Sequence, residues 1–126
     1  MTEAMETDVQ KRLLELRGQA EVVCERLKSE VETVGLEVSR INPLVEAADY
    51  SFSRDPASGK DSLVGIWRDG SGNKLGEMVF HADGSFFAEY DVICAHPKDS
   101  RWFVEAVTAW GRDNLIRSEL RLLPAV

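Results

Sequence analysis

Four residues in the middle of this chain could do chemistry together: Glu77, His81, Glu89 and Asp91. Clustered carboxylates can bind a hard cation, or divide into a general acid and a general base. Spacings of two and four place them on one face if both segments are extended, because strand side chains alternate between faces. A structural use competes with that chemistry. Arg117 and Arg121 fall in a later segment of the same kind, and opposite charges on neighbouring strands pair across a sheet. Neutralisation needs no further ligand, so it is the simpler reading, and the acids remain a candidate site beside it.

The other chemistry-bearing residues reach less far. Cys94-x-His96 lacks a second ligand pair at usable spacing for a metal. Gly70-Ser71-Gly72-Asn73-Lys74 superficially suggests a phosphate cradle, but it lacks the G-x-x-x-x-G-K-[ST] spacing and no helix follows. It reads as a hairpin loop. His81 and His96 border turns, where a hydrogen-bonding role is commoner than catalysis. No Ser/His/Asp or Cys/His arrangement with triad character can be assembled. No metal and no cofactor is expected, and the balance leans away from an enzyme.

The elements that must position these residues are legible in the alternation. Apolar and polar residues alternate in runs at Leu63–Arg68, Lys74–His81, Ser85–Ile93, Trp102–Trp110 and Leu115–Leu123. Turn residues (Gly70-Ser71-Gly72-Asn73, Asp83-Gly84, Asp113-Asn114) separate most of them, which spells an antiparallel meander. A three-residue Ala82-Asp83-Gly84 loop with Gly84 left-handed puts Phe80 opposite Phe86, Met78 opposite Ala88 and Glu77 opposite Glu89. A slip of one residue would mix the apolar and polar sets. A two-residue Asp113-Asn114 turn likewise pairs Trp110 with Arg117, Thr108 with Glu119 and Val107 with Leu120.

Phe103, Val107, Ile116, Leu120 and Leu122 then face one way, and Trp102, Val104, Trp110, Arg117, Glu119 and Arg121 the other. The second set is aromatic and cationic for a solvated surface. A guanidinium over an indole contributes about 0.5–1 kcal/mol at an exposed site, and large apolar patches mark binding surfaces. Trp102, Trp110, Arg117 and Arg121 are therefore the candidate interaction surface.

Upstream, from about Met5 to Val34, the period is helical. Val9, Leu13, Leu16, Ala20, Val23 and Leu27 form one stripe, which then shifts to Val31 and Val34. Lys11/Glu15 and Lys28/Glu32 stand at pairing distance along the helix, and Gly35 offers its end. About 30 residues make a rod of roughly 45 Å, longer than the roughly 35 Å diameter of a compact domain this size. The helix must bend, near Gly18, or present its stripe to another chain.

The junction, residues 36–62, stays open. Leu36, Val38 and Arg40 alternate as a short strand or frayed helix end. Asn42-Pro43 either starts a short helix through Ala48, or Val45 to Ser53 is an edge strand carrying Tyr50 and Phe52. Residues 53–60 are a surface loop.

The fold class is thus α+β in one domain: a long amino-terminal amphipathic helix packed on a four- to five-stranded antiparallel β-meander. With 15 Lys/Arg against 22 Asp/Glu the chain is acidic, and phosphate backbones repel it, so no nucleic acid is expected. Two separated cysteines make no disulfide framework, and no stretch approaches the roughly 18 apolar residues of a membrane span. A cytoplasmic protein that binds no membrane is the expectation. Its function reads as a protein-interaction module (adaptor, chaperone-like subunit or inhibitor) acting as a homodimer, with a possible protein partner. The alternative is a small-molecule-binding protein or small enzyme with a pocket between helix and sheet.

Overall fold

The computed structural model describes residues 3–37, 41–54, 56 and 59–125. One helix, α1 (Glu3–Glu32), precedes six antiparallel strands: β1 (Asp49–Arg54), β2 (Asp61–Arg68), β3 (Lys74–Phe80), β4 (Ser85–Ala95), β5 (Trp102–Arg112) and β6 (Leu115–Pro124). Spatial order follows chain order throughout, so the sheet is a pure meander with β1 and β6 at its edges. The strand beyond the expected five is β1.

The helix runs unbroken through Gly18. It ends as its sequence foretells: Gly35 takes φ +93°, its N–H donates to Glu32 O at 3.0 Å, and Leu36 N–H donates to Val31 O at 3.3 Å. That pair of bonds satisfies carbonyls the last turn would leave orphaned. The stripe packs on the sheet, with Ala20, Val23, Leu27 and Val31 buried and Val9, Leu13 and Leu16 half-buried. Lys28 pairs back to Glu25 at 2.9 Å, and Arg12 and Arg17 take Glu15 and Glu21 as partners. These replace the expected Lys11/Glu15 and Lys28/Glu32 pairs.

Both readings of the junction are partly realised. A single 3-10 turn spans Val45–Ala47, with no side-chain cap, and β1 follows directly. The alternation read at Val38 and Arg40, and Asp55, Ala57 and Ser58 of the loop, lie outside the described residues. Segment 41–48 is pinned by polar contacts from below. Trp67 Nε1–H donates to Leu44 O at 2.9 Å and the Tyr50 hydroxyl donates to Val45 O at 2.6 Å. Trp67 also tilts against Tyr90 with ring centroids 5.5 Å apart. Leu63, Trp67, Met78, Phe80, Phe86 and Tyr90 complete the core beneath the helix. At about 1.5–3 kcal/mol per buried large side chain, this face supplies most of the folding drive.

Glycine makes close packing possible at one strand position. A Cβ on Gly76 would lie 2.3 Å from Glu89 O, so no side chain fits where β3 meets Tyr90 of β4.

The central hairpin has the expected register, with Glu77 opposite Glu89 and Phe80 opposite Phe86. Gly84 takes φ +91°. In the last hairpin Trp110 faces Arg117 and Thr108 faces Glu119, again as the turn dictates. The faces change partway along β5. The ladder slips between Asp91 and Cys94 on β4 and between Val104 and Ala106 on the β5–β6 side. Val92 and Ile93 there oppose a single residue, Glu105. Ile93 sits at φ +51°, a conformation a β-branched residue takes only at a cost of roughly 1–2 kcal/mol. Beyond the bulge the alternation reverses. Val104 turns into the core, fully buried, Trp102 follows it to the helix side, and Phe103 goes to the other face.

Candidate functional site

The face of the sheet turned away from α1 gathers the residues singled out above, with one exception. Cross-strand partners make a continuous row over all six strands: Ser51, Val64, Val79, Phe87, Trp110 and Arg117. At about 4.8 Å per strand the apolar part, from Val64 to Trp110, is roughly 14 Å long. Phe87 is 38% exposed, and Val64, Val79 and Trp110 are half-buried. Tyr50 and Phe52 of the edge strand pack with the helix-side core. Trp102 is the exception. The bulge carries it to the opposite face, at the far end of β5 beside Pro124, so it does not share a surface with Trp110.

Next to this row runs a charged one: Ile66, Glu77, Glu89, Thr108 and Glu119, with Asp91 and Arg121 one step further along. Glu77, Glu89 and Asp91 are brought together as expected, and His81 lies at the end of β3. The acids are mostly neutralised. Arg121 Nη2 donates to Glu89 Oε2 at 2.6 Å, and the Lys74 ammonium pairs with Glu77. The Arg121–Glu89 bridge spans β5, and the small side chains in its path, Ala106 and Thr108, are 1% and 5% exposed. The bridge therefore roofs a strip that would otherwise be wet.

Asp91 makes no ion pair among the described residues. Desolvation, then the charges of Glu89 and Glu105, hold its carboxyl above the usual carboxylate range, against the opposing pull of Lys74 and Arg121. Arg117 was the other expected neutraliser. It stands opposite Trp110 but makes no ion pair among the described residues. The ring contacts of those residues join Trp67 to Tyr90 and Phe80 to Phe86, and the anticipated guanidinium on the Trp110 indole is not one of them.

Chemistry beyond ion pairing is not assembled. His81 Nδ1 shares a 2.9 Å hydrogen bond with the buried Ser62 hydroxyl. This pair borders an open concavity of about 470 Å³, with Glu77 at its other end. Glu77 and His81 are four residues apart on one strand, about 13 Å, too far for a relay. Between helix and sheet, an open concavity of about 520 Å³ lies at the mouth, where Gln19 Nε2–H donates to Asp113 O at 3.2 Å. Among the described residues no group of three or more His, Cys, Asp or Glu could hold a metal ion.

Both cysteines are free. Burial pushes the Cys24 thiol up to about 12, which keeps it protonated and inert beside Met78, 3.9 Å from its sulfur. No described helix is long and apolar enough to cross a membrane. No family model, no curated protein and no solved structure matched the chain.

Proposed function

We propose that this chain is a protein-interaction module that works as a cytoplasmic homodimer and receives a partner protein on the outer face of its sheet. The observation that carries the reading is the open row Val64–Val79–Phe87–Trp110–Arg117, flanked by the Glu77/Glu89/Arg121 charges. An apolar strip with a polar border is how interfaces are built, and aromatic and arginine residues dominate their energetics. A rigid sheet offers such a strip at little entropic cost, because its backbone is already ordered.

The homodimer rests on α1. Leu14 is 74% exposed and Val22 56% exposed, so the helix carries apolar side chains that its own sheet does not cover. Two-fold dimers are the commonest way to cover such surface. The acidic balance argues that the partner is not a nucleic acid. Gel-shift at low salt should show no micromolar binding to DNA or RNA.

The test compares wild type with Trp110→Ala as bait in a native lysate. Loss of a stoichiometric partner from the variant, at unchanged melting temperature, supports the reading. Equal capture by both chains, or a variant that fails through misfolding, sinks it. Sedimentation equilibrium of the wild type at tens of micromolar tests the dimer separately.

A further inference from the structure

The free edge of β6 is a surface that nothing above has used. β6 spans Leu115–Pro124 and hydrogen-bonds to β5 on one side only. Long edge strands are templates for another strand, and proteins normally blunt them. Here the edge is 10 residues long and its charges alternate in sign: Arg117, Glu119, Arg121. Arg121 is engaged with Glu89 inside the chain. Arg117 and Glu119 are exposed and make no ion pair among the described residues.

We infer that a second copy of this chain docks on that edge, β6 against β6 antiparallel about a two-fold axis at Ser118. This rests on the homodimer reading and names its interface. Two independent constraints select the register. The first is backbone parity. A two-residue turn makes Arg112 and Leu115 a hydrogen-bonded pair, so Leu115, Arg117 and Glu119 bond to β5, and Ile116, Ser118 and Leu120 direct their backbone groups outward. Only registers that set even residues against even ones can form a ladder.

The second constraint is charge. With Ser118 on the axis, Arg117 of each copy faces Glu119 of the other, twice per dimer. These are non-hydrogen-bonded positions, where side chains approach most closely. Shifting the axis to Arg117 or to Glu119 sets that residue against its own copy. Shifting it to Leu120 places Pro124, which has no N–H, at a ladder position opposite Ile116. Among these registers, the one at Ser118 pairs Arg117 with Glu119 twice and keeps Pro124 out of the ladder.

The helix agrees with this geometry. α1 lies over β5 and β6, tied down by Arg26 Nε–H donating to Ser118 Oγ at 2.7 Å and by that hydroxyl donating to Glu30 Oε1 at 2.6 Å. Strands about 4.8 Å apart then bring the two α1 axes to roughly 10 Å across the dyad, an ordinary helix–helix distance. Their facing sides carry Gly18, Val22 and Ser29, which with the charged Glu21, Glu25 and Arg26 line an open groove against Ile116. Exposed Val22 gains a partner there, and Gly18 leaves room for it.

Sedimentation equilibrium on charge-reversed chains tests the inference. Arg117→Glu and Glu119→Arg should each raise the dimer dissociation constant by about tenfold or more, because both symmetric pairs become repulsive. Carrying both changes in one chain restores opposite charges and should return the constant to within about threefold of wild type. Mixing the two single variants should also restore association, as a heterodimer, so the test does not depend on the doubly changed chain folding. A monomeric wild type overturns both this inference and the homodimer reading. A dimer indifferent to the reversals, or one that mixing fails to rescue, overturns the β6 interface alone.

Discussion

The two faces of one sheet were built to different rules. On the helix side the central large side chains, Leu63, Trp67, Met78, Phe80 and Phe86, are buried, and the polar atoms that go in with them have partners: Trp67 on Leu44 O, Tyr50 on Val45 O, Ser118 between Arg26 and Glu30. On the outer side the apolar row stays half-open, and Asp91, Arg117 and Glu119 make no ion pair among the described residues. Satisfied burial is what stability selects. A surface with unspent apolar area and accessible charge is what recognition uses. The contrast separates the face on which this molecule folds from the face on which we propose that it binds.

Two tryptophans put the contrast to its severest test. Trp67 is 2% exposed, so Trp67→Ala should lower unfolding stability by about 3–5 kcal/mol, read from urea denaturation. It also strands the Leu44 carbonyl and loosens segment 41–48. Trp110→Ala should leave the denaturation midpoint near wild type and weaken partner association by about 2 kcal/mol, read by calorimetric titration once the partner is captured. Equal stability losses in the two variants would mean that the outer face is core too.

Much of this division is legible in the chain itself, for a physical reason. Period-two patterning is local, and turn chemistry fixes register, so Phe80 opposite Phe86 and Trp110 opposite Arg117 follow from Gly84 and Asp113-Asn114 alone. What escapes is tertiary. The bulge that moves Trp102 off the outer face and Val104 into the core depends on an extra residue of β5, Glu105, opposite β6, which sits beside an extra residue in β4. Its trace is the unbroken apolar run Val92-Ile93-Cys94, where alternation should have continued. The junction stays open between a short helix and an edge strand, because Val45, Tyr50 and Phe52 find their burial against Trp67 and the helix, far away in sequence. Of the candidate site, Glu77, Glu89, Trp110, Arg117 and Arg121 come together as patterned. Which arginine takes which acid is decided by reach across β5, and pattern alone does not encode it.

A smaller effect probes the shared scaffold. Gly84 sits at φ +91°, and a Cβ there would lie 2.5 Å from Asp113 Oδ1. Gly84→Val should cost more than about 1 kcal/mol while keeping the slope of the denaturation curve. Because the register of β3 on β4 sets both faces at once, this variant should impair stability and partner binding together, unlike either tryptophan variant. An unchanged midpoint would place the origin of the register elsewhere.

The smallest effect belongs to Asp91, where the outer face departs furthest from the electrostatic order of the inner one. Its carboxyl is held up by desolvation first and by Glu89 and Glu105 next. A raised carboxyl means that the folded chain holds this proton more tightly than the unfolded chain does. Ionisation therefore opposes folding, and the sign follows from linkage. Below the ordinary carboxylate range both states are protonated and Asp91 costs nothing. As pH rises through the unfolded value the penalty grows, and it is complete above the folded one. Asp91→Asn removes the ionisation, so the variant should be slightly more stable than wild type at neutral pH, with the gain fading as pH falls. The gain is small because water screens this exposed side chain. Urea midpoints of both chains at pH 7 and near pH 3 read the difference. A variant less stable than wild type at neutral pH would show that Asp91 has a cation partner in the folded protein, and the contrast between the faces would shrink by that pair.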